Sequence, residues 1–154
     1  MLTRSEPALS QAGAADAAAL AALHGAAFRR GWSEDEFERL LIDTNVIAHR
    51  ARIGRALAGF IISRCTAGEA EILSVAVAPA RRGRGLAGKL LDLHLRRLAG
   101  LGVKAVFLEV DEDNAPARRL YAGARFRDVG RRPAYYARGG AAPANALVLR
   151  RDLA

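Results

Sequence analysis

The sequence predicts an α/β fold: a mixed sheet with helices on both faces. Three observations carry the prediction. Short β-branched runs alternate with segments of helical period, in the order β-α-α-β-β-β-α-β-α-β-β. One run, Ala105-Val106-Phe107-Leu108, is apolar at every position, as a central strand covered on both sides should be. A glycine-rich loop stands directly between a strand and a helix in mid-chain. With 154 residues, 51% of them hydrophobic, the chain can build one domain with a sizeable core.

The elements follow in order. Residues 1–7 read as a loose arm and 8–12 as a weak first strand. A helix starts at Asp16 or in the Ala-rich stretch before it and runs to about Phe28, with Leu20, Leu23 and Ala27 on one face. Ser33-Glu34-Asp35-Glu36 is a capping box that launches a second helix, and Trp32 precedes it as a candidate hydrophobic staple. Residues 46–51 and 56–63 read as strands joined by a turn at Ile53-Gly54-Arg55. Ala67-Gly68 turns the chain into a strand over 70–77. The helix after the glycine loop reaches about Leu98 and ends near Gly100. A strand follows over 104–110, then a helix capped at Asn114-Ala115-Pro116. Residues 126–130 read as a strand, 131–144 as a loop rich in Gly and Pro, and 146–150 as the last strand. There is no internal repeat.

Composition narrows the partners. The formal charge is +8, and Lys89 and Lys104 are the only lysines among 24 basic residues. A basic surface favours anionic partners such as a phosphate-bearing cofactor, RNA or an acidic peptide. The arginines are spread along the chain without aromatic platforms, so direct nucleic-acid binding is not the favoured reading. Cys65 is the single cysteine, so no intrachain disulfide can form, as expected of a cytoplasmic protein. No run approaches the roughly 18 apolar residues of a membrane span. No metal-ligand spacing links His24, His49 and His94, which read as structural or exposed residues without partners.

The densest stretch is 72–91, ILSVAVAPARRGRGLAGKLL. Strand, glycine loop and helix start together present free backbone N–H groups to an anion. Gly83 and Gly85 allow close approach or a positive φ, and Arg82 and Arg84 add charge. The stretch reads as a pyrophosphate site. Glu109 is the only charge in a strand of hydrophobes, which makes it a candidate general base raised in pKa by burial; Glu71 is the alternative. Tyr121 can hold a proton at neutral pH as a candidate general acid, or serve as a half-buried aromatic. Asn114 can be an N-cap, a contact to a cofactor, or both.

These pieces, Arg82-Gly83-Arg84-Gly85-Leu86-Ala87 after SVAV, then LEV, Asn114 and Tyr121, resemble the acetyl-CoA-binding pattern of the GNAT N-acetyltransferase superfamily. Trp32-Ser33-Glu34 and Arg131-Arg132-x-x-Tyr135-Tyr136 are similar to the RimI family, which acetylates the N-terminal alanine of a small-subunit ribosomal protein. The resemblance covers roughly 8–152. It implies a twisted, mostly antiparallel sheet and direct acyl transfer from acetyl-CoA without a metal. It implies a cofactor site at Val75, Ala76, Val77, Arg82, Gly83, Arg84, Gly85, Leu86, Ala87, Gly88, Asn114 and Tyr121, with the Val77 N–H as an oxyanion donor. It places Trp32, Tyr135 and Tyr136 around the acceptor, a basic protein N-terminus. A small-molecule amine as acceptor, or a CoA- or RNA-binding module without turnover, are the alternatives.

Two departures stand out. The family pattern Leu-Gly-Phe is replaced by Ala124-Arg125-Phe126. A left-handed Arg125 would cost about 1 kcal/mol relative to Gly, so the helix is expected to close earlier, at Gly123. Gly31 replaces a proline before Trp32, so a looser acceptor loop is expected. A chain of charge +8 should also repel a basic acceptor, unless Glu34–Glu36 and Asp111–Asp113 make the groove locally acidic.

Overall fold

The helix caps read from the sequence operate as local chemistry dictates. Ser33 Oγ accepts the Glu36 N–H at 3.1 Å and Asn114 Oδ1 accepts the Ala117 N–H at 3.2 Å. Asp16 accepts the Gly13 N–H through Oδ2 at 2.9 Å and forms an ion pair with Arg50 from the neighbouring strand. The computed structural model describes residues 6–28, 30–138 and 141–153; for 134–138 and 141–144 the description is of the backbone alone.

The elements are β1 (Ala8–Gln11), a short 3-10 turn, α1 (Ala17–Ala27), α2 (Glu34–Ile42), β2 (Val46–Ile53), β3 (Ala56–Thr66), β4 (Glu69–Val77), α3 (Leu86–Gly100), β5 (Ala105–Asp111), α4 (Ala115–Gly123), β6 (Arg127–Arg138) and β7 (Ala141–Asp152). A second 3-10 turn, Pro79–Arg81, leads from β4 into the glycine loop. The strands form one sheet in the order β1-β2-β3-β4-β5-β7-β6, antiparallel except for β4 with β5. Residues 131–138 and 141–144 of the expected loop instead belong to the paired strands β6 and β7, while Gly139 and Gly140 lie outside the described residues. Pro133 points to a loop, but β6 is the sheet edge, where a missing N–H is tolerated. The register shifts between Arg132 and Tyr136 and again before Arg138 take up the irregularity.

Two cores sandwich the sheet. On one face Leu90, Leu91, Leu95 and Leu98 of α3 and Tyr121 of α4 pack with Ile61, Ile72, Val106, Leu108 and Val110. On the other, Leu20, Leu23 and Phe37 from α1 and α2 pack with Phe60, Ile62 and Ala76. The histidines are neither exposed nor without partners. His49 and His94 approach through their Nδ1 atoms at 2.7 Å, and His94 Nε2 meets Ser63 Oγ at 2.6 Å. Burial foremost, and then His49, push the His94 pKa down to about 3. Burial also lowers His24 and His49.

The expected early closure of α4 at Gly123 is overturned. Gly123 is helical, Ala124 is the C-cap, and Arg125 takes the left-handed position at φ 67°. The Phe126 N–H bonds Tyr121 O at 3.0 Å and the Arg125 N–H bonds Ala122 O at 3.0 Å, the two bonds of a Schellman closure. Tertiary contacts offset the strain. The Tyr121 and Phe126 rings meet edge-on at 5.7 Å, and Arg151 Nη1 donates to Ala124 O at 2.9 Å.

Candidate active site

The site is built around a place where the sheet comes apart. β4 and β5 pair in parallel only at Glu69–Ala105, Ala70–Val106 and Glu71–Phe107. Beyond that point each strand continues, yet neither pairs with the other. On β4 the register with β3 jumps, Ser63 pairing with Ile72 and Ile62 with Ser74, so Leu73 is an extra residue. The bulge reverses the alternation. Ile72 lies in the core under α3 and α4, while Leu73 and Ala76 pack on the α1–α2 side. The Ala78 N–H bonds Ala58 O on β3 at 2.8 Å. Antiparallel alternation then directs the backbone groups of Ala76 and Ser74 toward β3 and those of Val75 and Val77 toward the opened gap. The Val77 carbonyl receives Arg82 Nε at 3.2 Å, which ties the glycine loop back to the strand edge.

Gly83 and Gly85 both sit at φ 77°. A Cβ at either would meet nothing within 4 Å, so conformation rather than space requires glycine there. Gly85 is also the α3 N-cap and offers no side-chain cap. The first intrahelical bond arrives at Lys89, from its N–H to Gly85 O at 3.1 Å. The N–H groups of Leu86, Ala87 and Gly88 therefore point out of a fifteen-residue helix at its positive end. Arg81, Arg84 and Lys89 line a hollow beside this turn with Glu6, Pro7, Ile53 and Leu86.

Glu109 and Tyr121 lie on opposite faces of the sheet. Tyr121 is buried in the α3–α4 core with Leu108 and Val110, whereas Glu109 alternates to the other face. Glu109 is not the lone desolvated carboxyl that the sequence suggested. Its Oε1 accepts from Arg132 Nε at 3.1 Å and its side chain keeps 20% exposure. Sequence reasoning gave Arg132 no role, although the Arg131-Arg132 doublet carried the signal. Arg131 in turn pairs with Glu112 at 3.1 Å. A hollow of about 420 Å³ on this face is lined by Arg64, Glu71, Phe107, Glu109 and Arg132, among others, so the alternative base Glu71 shares it. Asn114 caps α4 through Oδ1, and its amide NH2 is the part left for any cofactor contact.

The Gly31–Trp32 loop is tighter than Gly31 suggested. A Cβ at Gly31 would stand 2.8 Å from Gly25 Cα, so two glycines let the loop press against α1. The Trp32 N–H donates to His24 Nδ1 at 3.0 Å, and the two rings stack at 4.5 Å. Trp32 also tilts on Phe37 at 5.4 Å, which makes it a staple as well as a candidate wall. Tyr135 and Tyr136 lie on β6; nothing is described of their side chains. Glu34, Asp35 and Glu36 form the exposed first turn of α2. Burial raises the Cys65 thiol pKa, which suits a packing role. Among the described residues no helix is long and apolar enough to cross a membrane.

Comparison with known proteins supplies the context for this geometry. The acetyltransferase (GNAT) family model matches residues 17–125. The N-alpha-acetyltransferase RimI of Mycobacterium tuberculosis is 36% identical over 125 residues, 79% of this chain and 75% of that protein. A mycothiol acetyltransferase of Clavibacter michiganensis is 45% identical over 73 residues, 47% of this chain and 24% of that protein. The chain spans only 33%, 24% and 33% of three of the curated relatives it matches. The crystal structure of the ribosomal-protein-S18-alanine N-acetyltransferase from Escherichia coli shares the fold with TM-score 0.91 at 24% identity, over 97% of this chain and 95% of that one. With the splayed β4–β5 pair, the uncapped α3 start and these matches together, the chain belongs to the GNAT acetyltransferase family.

Proposed function

We propose that this protein transfers an acetyl group from acetyl-CoA directly to the α-amine of a protein N-terminus, alanine of a small-subunit ribosomal protein being the foremost acceptor. The observation that carries the chemistry is the opened β4–β5 gap, with free strand-edge groups on one side and a carboxylate on the other. Similarity to the M. tuberculosis RimI across most of both chains supports the acceptor class.

In this reading the cofactor pyrophosphate lies on the N–H groups of Leu86, Ala87 and Gly88, with Arg82 and Arg84 adding charge and Gly83 and Gly85 setting the turn. The pantetheine arm runs along Val75, Ala76 and Val77 as a strand-like partner, and the thioester reaches the gap. Asn114 contacts the arm from the start of α4. An α-ammonium has a reference pKa of about 7.7–8.0 and must lose a proton before it attacks. Glu109 takes that proton, directly or through a water. The amine nitrogen then bonds the thioester carbon, the Val77 N–H steadies the oxyanion, and the C–S bond breaks. Tyr121 gives the departing thiolate its proton, and the phenolate so formed recovers one, through solvent, from the nitrogen of the new amide. A preorganised oxyanion donor is typically worth about 3 kcal/mol. Arg132 fixes the Glu109 carboxylate, and Trp32, Tyr135 and Tyr136 bound the acceptor.

The mycothiol acetyltransferase similarity favours a small-molecule amine as the second reading, because it reaches 45% identity over 47% of the chain. One panel separates the two. Thiol release from acetyl-CoA is followed with peptides differing in the first residue, with Nα-blocked peptides and with small amines. Fast turnover on a free Ala terminus, absent after blocking, is the expected result. Turnover on small amines alone would replace the acceptor class, and none with any amine would remove the enzymatic reading.

A further inference from the structure

Among the described residues, the Ser74 hydroxyl is the one buried side-chain oxygen or nitrogen without a hydrogen-bond partner. Ser74 is 8% exposed. Leaving a buried hydroxyl unmatched costs about 1–3 kcal/mol. Alanine is well accommodated on the same strand, at Ala70 and Ala76, both buried. An alanine would therefore suit position 74 for folding alone.

Its position in the register says what the hydroxyl can meet. Glu71–Phe107 is the last pair that joins β4 to β5. Two residues further along β5, on the face of Phe107, is Glu109. Two positions further along β4, once the extra Leu73 is counted, is Ser74. Ser74 pairs with Ile62, which packs under α1 and α2, so it lies on that same face. Ser74 and Glu109 therefore flank the first open rung of the gap, one from each strand, on the side of Trp32.

We infer that Ser74 positions the acceptor: its oxygen receives one N–H of the amine to be acylated while Glu109 receives another. This rests on the proposed function. The geometry suits a primary amine. An ammonium has three N–H groups; Glu109 removes one proton, Ser74 holds a second N–H, and the freed lone pair faces the thioester carbon.

The test compares the wild type with Ser74→Ala and Ser74→Thr on a free-Ala peptide, with the KM for acetyl-CoA and melting temperatures alongside. Ser74→Ala should lower kcat/KM on the primary amine by about tenfold, one hydrogen bond to a partly charged group. It should leave the KM for acetyl-CoA unchanged and melt no lower than the wild type. Ser74→Thr, which keeps the hydroxyl, should restore kcat/KM to near the wild-type value. Wild-type kcat/KM in Ser74→Ala would overturn the inference and leave the proposed function standing. A rate loss that Ser74→Thr does not restore, or one matched by a fall in melting temperature, would make Ser74 structural and overturn the inference. Absence of wild-type turnover on every amine would remove the proposed function and this inference with it.

Discussion

Two buried serines flank the same β-bulge and are treated oppositely. Ser63 on β3 is fully buried on the α3 side, and its oxygen meets His94 Nε2 at 2.6 Å. Ser74 on β4 faces the α1–α2 side and finds no hydrogen-bond partner among the described residues. The strands are neighbours and the residue type is the same, so local preference cannot account for the difference. Ser63 lies under a helix that closes over it, whereas Ser74 lies beside the gap where β4 and β5 separate. A satisfied buried hydroxyl rigidifies a core. An unsatisfied one beside an opening is a cost to folding that a ligand can recover.

The Ser63 side of the comparison should break first in acid. His94 is held neutral in the fold, its pKa lowered from 6.5 to about 3, chiefly by burial. The unfolded chain takes up that proton first. Stability is therefore full above about pH 6.5, falls as the pH drops through that value, and levels off near pH 3. At 1.36 kcal/mol per unit, the loss from His94 alone between pH 7 and 4.5 is about 2–3 kcal/mol. His49 and His24, lowered chiefly by burial, act in the same direction. Urea midpoints measured across this range check the slope; a flat profile would contradict the buried neutral pair.

Ser63→Ala comes next. Removing its hydroxyl leaves His94 Nε2 unmatched, with an expected loss of about 1–3 kcal/mol by urea unfolding and no change in kcat/KM. Ser74→Ala should show the reverse pattern, unimpaired stability with slower turnover. If both serines behave alike, the comparison fails.

A smaller effect calibrates the scale away from both serines. Arg125 holds a left-handed backbone at φ 67° for which glycine is the natural residue. Arg125→Gly should raise stability by about 1 kcal/mol without altering kinetics, read from the same unfolding curves. A loss instead would mean that the Arg125 side chain contributes more than its backbone strain.

What the sequence made legible follows from the range of each interaction. The element order, the Ser33 and Asn114 caps and the Gly83–Gly85 loop are decided within a few residues, and all were readable. The extent of β6 was hidden because Pro133 signals a turn everywhere except on an edge strand, where its missing N–H needs no partner. Arg125 was misread because the local rule favours glycine, while the offsetting contacts come from Phe126 and from Arg151 on another strand. The Glu109–Arg132 pair and the Ser63–His94–His49 chain join residues from different elements, so no spacing rule reports them. The candidate base was found as a charge among hydrophobes; its arginine partner and solvent access needed the fold.

The central claim is that the opened β4–β5 gap, with Glu109 at its edge, is where the amine is deprotonated. The most direct test is Glu109→Gln, assayed for kcat on the best acceptor beside its acetyl-CoA affinity by calorimetry. Glutamine keeps the shape and can still accept from Arg132, but cannot take the proton. The account predicts a fall in kcat of about 10²–10⁴-fold with acetyl-CoA affinity unchanged. Wild-type kcat in Glu109→Gln would contradict it and move the base elsewhere on that face.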